Sequence, residues 1–436
     1  MQVSVESTGV LERRMKVQVP AERIEREVET RLRSLGKRAK IKGFRPGKVP
    51  FKVVKQQYGG QVREEVLSEL LRSTYTEALS QENLTPAGGP QLEPLNVEPG
   101  QDLEYTATFE VYPEIEVKGV EGMKVKRPVA EVTESDIDDM VQNLREQRAD
   151  WEVVERKAER GDRVRIDFEG DIKGKPFEGN KGEDVLLELG SGRMVEGFEE
   201  KLEGAAAGEE VEFDVKFPKD YRAEELAGKK VHFKVTIREV SGKRLPELDE
   251  EFCKAFGIEE GGIESLREEV AANMRRELEE TVRRKVKEQA LDGLLKANPI
   301  ELPKALVDEE IERLRQDALG RLGISDQTQQ PELPADLFEE DARRRVALGL
   351  LIGEVINGEQ LKIDQDRVRE TIEKMVEGYE RPDEVIRSYR SNPNIMRHIE
   401  TLVLEEQVVD WLLDQAAIED ESTTFKDVMN FGKQQA

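Results

Sequence analysis

The decapeptide "IKGFRPGKVP", residues 41–50, combines residue types that suit binding to a polyanion. Lys42, Arg45 and Lys48 supply positive charge, and Phe44 lies between the first two. Glycine or proline occupies four of the other positions, and because these residues interrupt helices and favour turns, we expect Phe44 at an exposed tip. There the ring can fill a pocket on a partner protein while the basic side chains attract phosphate groups.

The charge around this loop differs from that of the whole chain, which has 436 residues and a formal net charge of -26. Residues 31–63 contain eleven basic residues and no acidic one, so the rest of the chain carries -37 when those eleven charges are removed. A solvated helical hairpin is one interpretation. Solvated surfaces usually mix both signs of charge, however, and the pattern therefore favours a site for a polyanion.

The rarity of cysteine and histidine excludes several kinds of site. Cys253 is the only cysteine, so the chain cannot form an internal disulfide or a thiolate-rich metal site. His232 and His398 are the only histidines, which makes a histidine metal cluster or a Ser-His-Asp triad improbable. Neither a P-loop nor a kinase-type loop occurs. We therefore expect no metal and no cofactor.

The distribution of apolar residues predicts a protein of the cytoplasm. No apolar run approaches the roughly 20 residues that span a bilayer, and the first residues, "MQVSVESTGV", lack the pattern of a signal peptide. The length favours about three domains of roughly 150 residues each.

The first 113 residues predict an α+β unit. Alternating apolar residues indicate two half-buried strands, and apolar residues at helical spacing indicate a helix after Pro20, a short helical stretch ending at Gly59-Gly60, and a second long helix. The first strand is indicated by Met15, Val17 and Val19; the first helix by Ile24, Val28, Leu32, Leu35 and Ala39; the second helix by Val62, Val66, Leu70, Leu71 and Leu79; and the last strand by Leu103, Tyr105, Ala107, Phe109 and Val111.

The loop between these helices resembles the G-F-R-x-G-K-x-P signature of the trigger factor family, chaperones that dock beside the ribosomal exit tunnel. This resemblance implies that the loop binds a protein of the large ribosomal subunit and adjacent ribosomal RNA. The implied contact residues are Gly43, Phe44, Arg45, Gly47, Lys48 and Pro50. The variable position, often basic in relatives, is Pro46 here, which leaves the local charge to Arg45 and Lys48.

The middle of the chain, about residues 150–243, predicts a compact antiparallel sheet, because glycine becomes frequent and short alternating strands recur. Within it, "VRIDFEGDIKGKPFEG" and "LGSGRMVEGFEEKLEGAAAGEE" resemble the FK506-binding-protein type of prolyl isomerase, in which a sheet holds an apolar pocket against a short helix. Rotation about an X-Pro bond faces a barrier of about 18–20 kcal/mol, and a dry pocket can lower it by favouring the twisted amide.

The resemblance implies a set of site residues in this domain. The proline pocket is assigned to Phe168, Phe177, Val195, Phe198 and Phe233. Tyr221 is expected to donate a hydrogen bond to a substrate carbonyl, and Glu178 to orient polar groups at the pocket rim. The plain alternative is that these rings are barrel core, which is the interpretation we give to Phe213 and Phe217.

From about Pro246 the pattern is helical almost to the end. Thin apolar stripes recur, as in Leu266, Val270, Met274, Leu278, Val282 and Val286. An ordinary bundle explains each leucine by itself, whereas the whole set also suits helical arms that bind unfolded chains weakly. The resemblance to the trigger factor family extends over this region.

Together these patterns predict a multidomain α+β protein that is a chaperone and also has prolyl isomerase activity. Expected boundaries are 1–113 for ribosome docking, 114–149 for a linker, 150–243 for the isomerase, 244–432 for an all-α chaperone domain and 433–436 for a tail. Expected partners are the large ribosomal subunit, nascent and unfolded polypeptides and, for the free protein, a second copy in a weak homodimer, with no membrane. The alternatives are a stand-alone prolyl isomerase and an RNA-binding protein that uses the basic hairpin alone.

Overall fold

The computed structural model describes residues 1–38, 44, 49–177, 179–219, 221, 223, 226–323, 333–379 and 381–430. The chain forms two compact units, each made of two segments. The first unit combines residues 1–127 with residues 285–419, and the second combines residues 128–284 with the segment that begins at Asp420. The mixture of helices and antiparallel sheets confirms the predicted fold class. Within the described residues, no helix has the length and apolar character needed to cross a membrane.

The first unit begins with an antiparallel sheet covered by two helices. The elements are β1 (Gln2–Ser7), β2 (Glu12–Val19), α1 (Ala21–Arg38), α2 (Phe51–Glu82), β3 (Gln91–Asn96) and β4 (Leu103–Glu110). The strand order is β1-β2-β4-β3. The alternating residues predicted in the two central strands, among them Met15, Val17, Tyr105 and Ala107, are buried against both helices.

One prediction for this region was wrong: α2 runs through Gly59-Gly60 without a break. Each glycine costs a helix up to about 1 kcal/mol relative to alanine. Val54 before the pair and Val62 and Val66 after it are all buried in the same core. Packing on both sides of the glycines therefore outweighs their local preference.

The second unit contains a five-stranded antiparallel sheet and several helices. In chain order the elements are β5 (Lys124–Val129), α3 (Glu134–Gln147), β6 (Asp150–Val153), β7 (Arg163–Asp171), β8 (Lys181–Glu188), a 3-10 turn (Glu199–Lys201), β9 (Glu210–Lys216), β10 (Lys230–Arg244), α4 (Glu250–Lys254) and α5 (Gly262–Ala297). The sheet has the order β6-β10-β7-β8, with β9 also pairing with β10. The first residues of β5 and the last part of α5 belong to the first unit.

The remaining elements are helical except for one strand. They are α6 (Lys304–Arg321), α7 (Asp336–Gly358), α8 (Gln365–Val376), α9 (Pro382–Ser391), α10 (Pro393–Gln415), β11 (Ala417–Ser422) and α11 (Phe425–Asn430). β11 pairs with β5. The helical periodicity of this part of the sequence did not predict the strand β11. The helices bury several small clusters, such as the one that joins α8, α9 and α10 around Val368, Ile372, Ile399 and Val403.

In the first unit, side-chain amides in or next to helices form hydrogen bonds with the backbone of extended segments. The Asn298 amide accepts a hydrogen bond from the Lys118 backbone N–H (2.7 Å) and donates one to the Lys118 carbonyl (2.9 Å). Gln289 makes the same pair of bonds with the backbone of Lys126. Gln407 accepts from the Asp364 N–H and donates to the carbonyl two residues earlier. Each amide thus supplies both partners that a neighbouring strand would supply.

The Asn298 contact predicts a measurable loss of stability. Replacing the buried Asn298 with alanine removes both hydrogen bonds that it makes with the Lys118 backbone, which should lower the free energy of unfolding by about 1–3 kcal/mol. Urea unfolding measures this loss, and the backbone amide of Lys118 should exchange its hydrogen faster. Asn273→Ala is the control, because Asn273 is exposed on α5, the helix that ends directly before Asn298. Equal stability of the two variants would contradict the assigned role.

Candidate functional site

The middle sheet carries two of the predicted site rings, Phe168 on β7 and Phe233 on β10. On β10, Phe233 pairs across the sheet with Gly170 of β7 and with Phe213 of β9. Phe168 of β7 pairs with Gly182 of β8. The two glycines make room for the rings, because a Cβ atom would lie 2.8 Å from the Phe233 ring at position 170 and 2.5 Å from the Phe168 ring at position 182.

Phe198, directly before the 3-10 turn, lies at the centre of these rings. Its ring centroid is 5.1 Å from that of Phe233, 5.2 Å from that of Phe213 and 6.2 Å from that of Phe168, all in edge-to-face geometry. Such pairs stabilise a core beyond the area they bury. Phe177 and Val195 pack against the same cluster. The structure therefore brings together the five predicted apolar site residues.

These five residues differ in their access to solvent. Phe198 has no exposed surface and Phe233 is buried. In this conformation both rings therefore pack beneath the other three residues and do not reach the solvent. Phe168, Phe177 and Val195 are half-buried and can offer apolar surface to a ligand.

Tyr221 is connected to the cluster through a residue that the sequence assigned to plain core. Its side chain is 40% exposed, and its ring meets that of Phe217 edge-to-face at 4.8 Å. Phe217 in turn stacks on Phe233 with the centroids 6.5 Å apart. Phe213 and Phe217 are buried, as predicted, and they also contact the site rings. In the sequence, the alternation of Phe213, Val215 and Phe217 was the signal that one face of β9 packs against the site rings. Glu178 lies outside the described residues.

Glu199, the residue after Phe198, was not predicted as part of the site. Its side chain is buried, and one carboxylate oxygen accepts hydrogen bonds from the backbone N–H groups of Gly190 (2.8 Å) and Gly192 (3.0 Å). The other oxygen accepts from the Met194 N–H (3.1 Å) and the Ser191 hydroxyl (3.3 Å). Burial by itself raises the pKa of the Glu199 carboxyl, but these hydrogen bonds together outweigh burial and hold the pKa below its ordinary value of 4.5.

The predicted ribosome-docking residues lie only partly within the described residues. Phe44 is 41% exposed, as expected for an aromatic tip. Pro50 directly precedes α2, and its carbonyl accepts hydrogen bonds from the N–H groups of Val53 and Val54 in the first turn. Gly43, Arg45, Gly47 and Lys48 lie outside the described residues.

The basic residues on the two flanking helices divide into paired and unpaired groups. Several of these cations pair with carboxylates of α1 and α2: Arg31 with Glu69, Arg33 with Glu29, and Arg63 with Glu25. Those nearest the loop are exposed and have no carboxylate partner among the described residues: Lys37, Arg38, Lys52 and Lys55. Positive charge is thus concentrated at the loop end of the helices, which sequence counting alone could not reveal.

Comparison with known proteins gives a consistent set of similarities. A family model described as "Bacterial trigger factor protein (TF)" matches residues 1–144, and its C-terminal counterpart matches residues 262–414. A model described as "FKBP-type peptidyl-prolyl cis-trans isomerase" matches residues 154–238.

Full-length relatives carry the same name. A protein of Thioalkalivibrio sulfidiphilus named "Trigger factor" is 50% identical over 436 residues, which cover 100% of both chains. Its namesake from Idiomarina loihiensis is 49% identical over 99% of both chains. A solved structure titled "Promiscuous Substrate Recognition in Folding and Assembly Activities of the Trigger Factor Chaperone" aligns with 95% of this chain and 99% of its own, at 22% identity and a TM-score of 0.49.

The Glu199 contacts predict how stability depends on pH. Because the folded protein lowers the pKa of this carboxyl, its contribution to stability is complete above the unfolded value near 4.5 and disappears as the pH falls through the lower folded value. Glu199→Gln should therefore destabilise the protein at pH 7 by about 1–3 kcal/mol, with the difference from the parent shrinking in acid. Urea unfolding over a pH series measures this. Glu200→Gln, at an exposed neighbouring position, is the control. A difference that grew in acid would contradict the assignment.

Proposed function

We propose how the work of this chain, which belongs to the trigger factor family, is divided along its sequence. The chain is an ATP-independent chaperone that binds the ribosome, and it carries an FKBP-type peptidyl-prolyl cis-trans isomerase domain. We assign ribosome binding to residues 1–113, isomerisation to 150–243 and the shielding of unfolded chains to 244–432. Residues 114–149 connect the first two parts, and 433–436, outside the described residues, are assigned to a tail.

The observation that supports the isomerase site is the half-buried apolar surface above the buried rings. A proline ring can lie against Phe168, Phe177 and Val195, whose positions are supported by Phe198 and Phe233. No bond needs to be made or broken, because the barrier comes from amide resonance, which is lost as the bond twists. An apolar site withholds the water that stabilises the planar, polar amide and thereby favours the twisted form.

The polar residues of the proposed site act at its edge. Tyr221 is exposed, and its ring is fixed against Phe217, so its hydroxyl is available to donate a hydrogen bond to a substrate carbonyl. Glu178 is assigned to the pocket rim, where it orients polar groups, on the family resemblance alone. Neither residue acts as a general base, since isomerisation transfers no proton.

For the docking site we propose a composite contact with ribosomal protein and ribosomal RNA near the exit tunnel. The exposed ring of Phe44 fills a pocket on a large-subunit protein. Gly43, Arg45, Gly47 and Lys48 are assigned to the same contact on the family resemblance alone. The unpaired cations on α1 and α2 attract RNA phosphates. Pro50 sets the start of α2 and so the point from which the loop departs.

The helical part is proposed to bind unfolded and nascent chains through weak apolar contacts. Large apolar side chains remain exposed near helix ends: Leu322 after α6, Leu337 in α7, and Met375 and Tyr379 at the end of α8. Scattered exposed residues of this kind provide weak contacts without sequence preference. We further propose that the protein acts in the cytoplasm and that free copies form a weak homodimer.

The docking proposal predicts a separation of apolar and electrostatic effects. Phe44→Ala should weaken co-sedimentation with ribosomes even at low salt, because a pocket-filling ring is lost. Phe51→Ala is the matched control, since this ring is also exposed but lies in α2 under Arg33.

In the same assay, replacing Lys52 and Lys55 with glutamine should weaken binding at low salt and make it less sensitive to added salt. If Phe44→Ala binds like the parent at every salt concentration, the ring has no docking role. A simple RNA-binding protein would then be the better description of this hairpin.

The isomerase proposal predicts that Phe168→Leu lowers kcat/KM on a proline peptide about tenfold, which corresponds to about 1.4 kcal/mol of transition-state stabilisation. The ring offers surface to the substrate, and leucine covers less of it. Phe252→Leu, at a buried phenylalanine of another cluster in the same unit, should leave kcat/KM unchanged. Both rates are compared after circular dichroism confirms folding. Equal rates for the two variants would remove Phe168 from the site.

A further inference from the structure

The glycine loop, residues 189–197 between β8 and the 3-10 turn, carries one side of the proposed pocket. Met194 and Val195 project from it onto the ring cluster, and Phe198 follows directly. Three glycines of the loop have left-handed backbone angles: Gly190 (φ +89°), Gly192 (φ +69°) and Gly197 (φ +85°). Such residues permit the path of the loop but do not hold it, since glycine is free to adopt many other conformations.

Backbone hydrogen bonds fix the two ends of the glycine loop and one position within it, Ser191, whose N–H donates to the Glu188 carbonyl. At its start, the Leu189 N–H donates to the Asp162 carbonyl and the Gly161 N–H donates to the Leu189 carbonyl. At its end, the Phe198 N–H donates to the Val195 carbonyl.

Between these ends, the N–H groups of Gly190, Gly192 and Met194 all donate to the Glu199 carboxylate. A single side chain, only 7% exposed, therefore binds three backbone N–H groups spread along the loop, beyond the one bond that Ser191 makes with Glu188. Because an ionised carboxylate offers only acceptors, it can satisfy these three donors and the Ser191 hydroxyl together.

We infer that Glu199 is a positioning residue for isomerisation: by holding the glycine loop, its carboxylate fixes Val195 and Met194 at the distance from Phe168 and Phe177 at which the pocket favours a twisted amide. This inference rests on the proposed pocket. Phe198 and Glu199, adjacent in sequence, thus support the rings and the loop wall respectively. A displacement of about 1 Å at a binding wall can cost a large part of a catalytic effect.

The first test compares Glu199→Gln with Glu200→Gln in the full-length chain at pH 7, on a proline peptide. Glutamine keeps the length of the side chain but turns an NH₂ group toward backbone donors, so at least one hydrogen bond from a loop N–H is lost. We expect kcat to fall about tenfold in Glu199→Gln with KM within about twofold of the parent, and no change in Glu200→Gln. Faster hydrogen exchange at the backbone amides of Gly192 and Met194 should accompany the fall.

A second pair of variants leaves the carboxylate intact and also decides the question if Glu199→Gln does not fold. Gly192 and Gly204 both have left-handed angles, and an added Cβ would meet no atom within 4 Å at either position. Alanine therefore imposes a similar backbone strain at each, but only position 192 lies in the glycine loop. We expect Gly192→Ala to lower kcat at least fivefold and Gly204→Ala to retain the parental value.

The outcomes separate this inference from the proposed function. An inactive parent would contradict the proposed pocket, and exchange at Gly192 and Met194 would still show whether Glu199 holds the loop. An active parent with parental kcat in both Glu199→Gln and Gly192→Ala would overturn the positioning role alone. A rise in KM without a fall in kcat would also overturn it, because the loop would then bind planar and twisted amides equally.

Discussion

The burial of Phe198 among other aromatic rings is the interaction on which the proposed isomerase site depends. An apolar pocket that favours a twisted amide needs a rigid base, and edge-to-face contacts with Phe168, Phe213 and Phe233 supply it. The next residue, Glu199, has the opposite requirement, because a buried carboxylate must be surrounded by donors. The chain meets both requirements with consecutive residues. The Phe198 ring packs against the rings of the sheet, and the Glu199 carboxylate binds the backbone of the glycine loop.

Charge is organised differently in the docking hairpin. A chain of net charge -26 repels phosphate, so any contact with RNA requires a local surface of opposite sign. The structure produces this surface by leaving Lys37, Arg38, Lys52 and Lys55 exposed beside the loop, without a carboxylate partner among the described residues, while Arg31 and Arg63 pair with carboxylates. The exposed ring of Phe44 adds an apolar contact that salt does not screen. Recognition and long-range attraction thus have separate physical origins.

Residue periodicity predicted the strands and helices well because burial on one face repeats at regular intervals, as in Met15, Val17 and Val19. It failed at Gly59-Gly60, where packing from distant residues outweighs local preference. The amide contacts of Asn298 could not be predicted, since they join residues 180 positions apart. The predicted rings were found together because their types and spacing resemble a whole domain. Glu199 was missed because its function appears only once the glycine loop has folded around it, and the roles of all site residues stay predictions.

The central claim is that a proline ring lies on the half-buried surface of Phe168, Phe177 and Val195, above rings that it does not touch. Nuclear Overhauser contacts between an unlabelled proline peptide and the full-length protein, labelled with ¹³C in its valine methyl groups and phenylalanine rings, test this directly. The account predicts contacts from the proline ring to Val195, Phe168 and Phe177 and none to the buried Phe213. Proline contacts that avoid these three residues, in a protein that accelerates isomerisation, would contradict it.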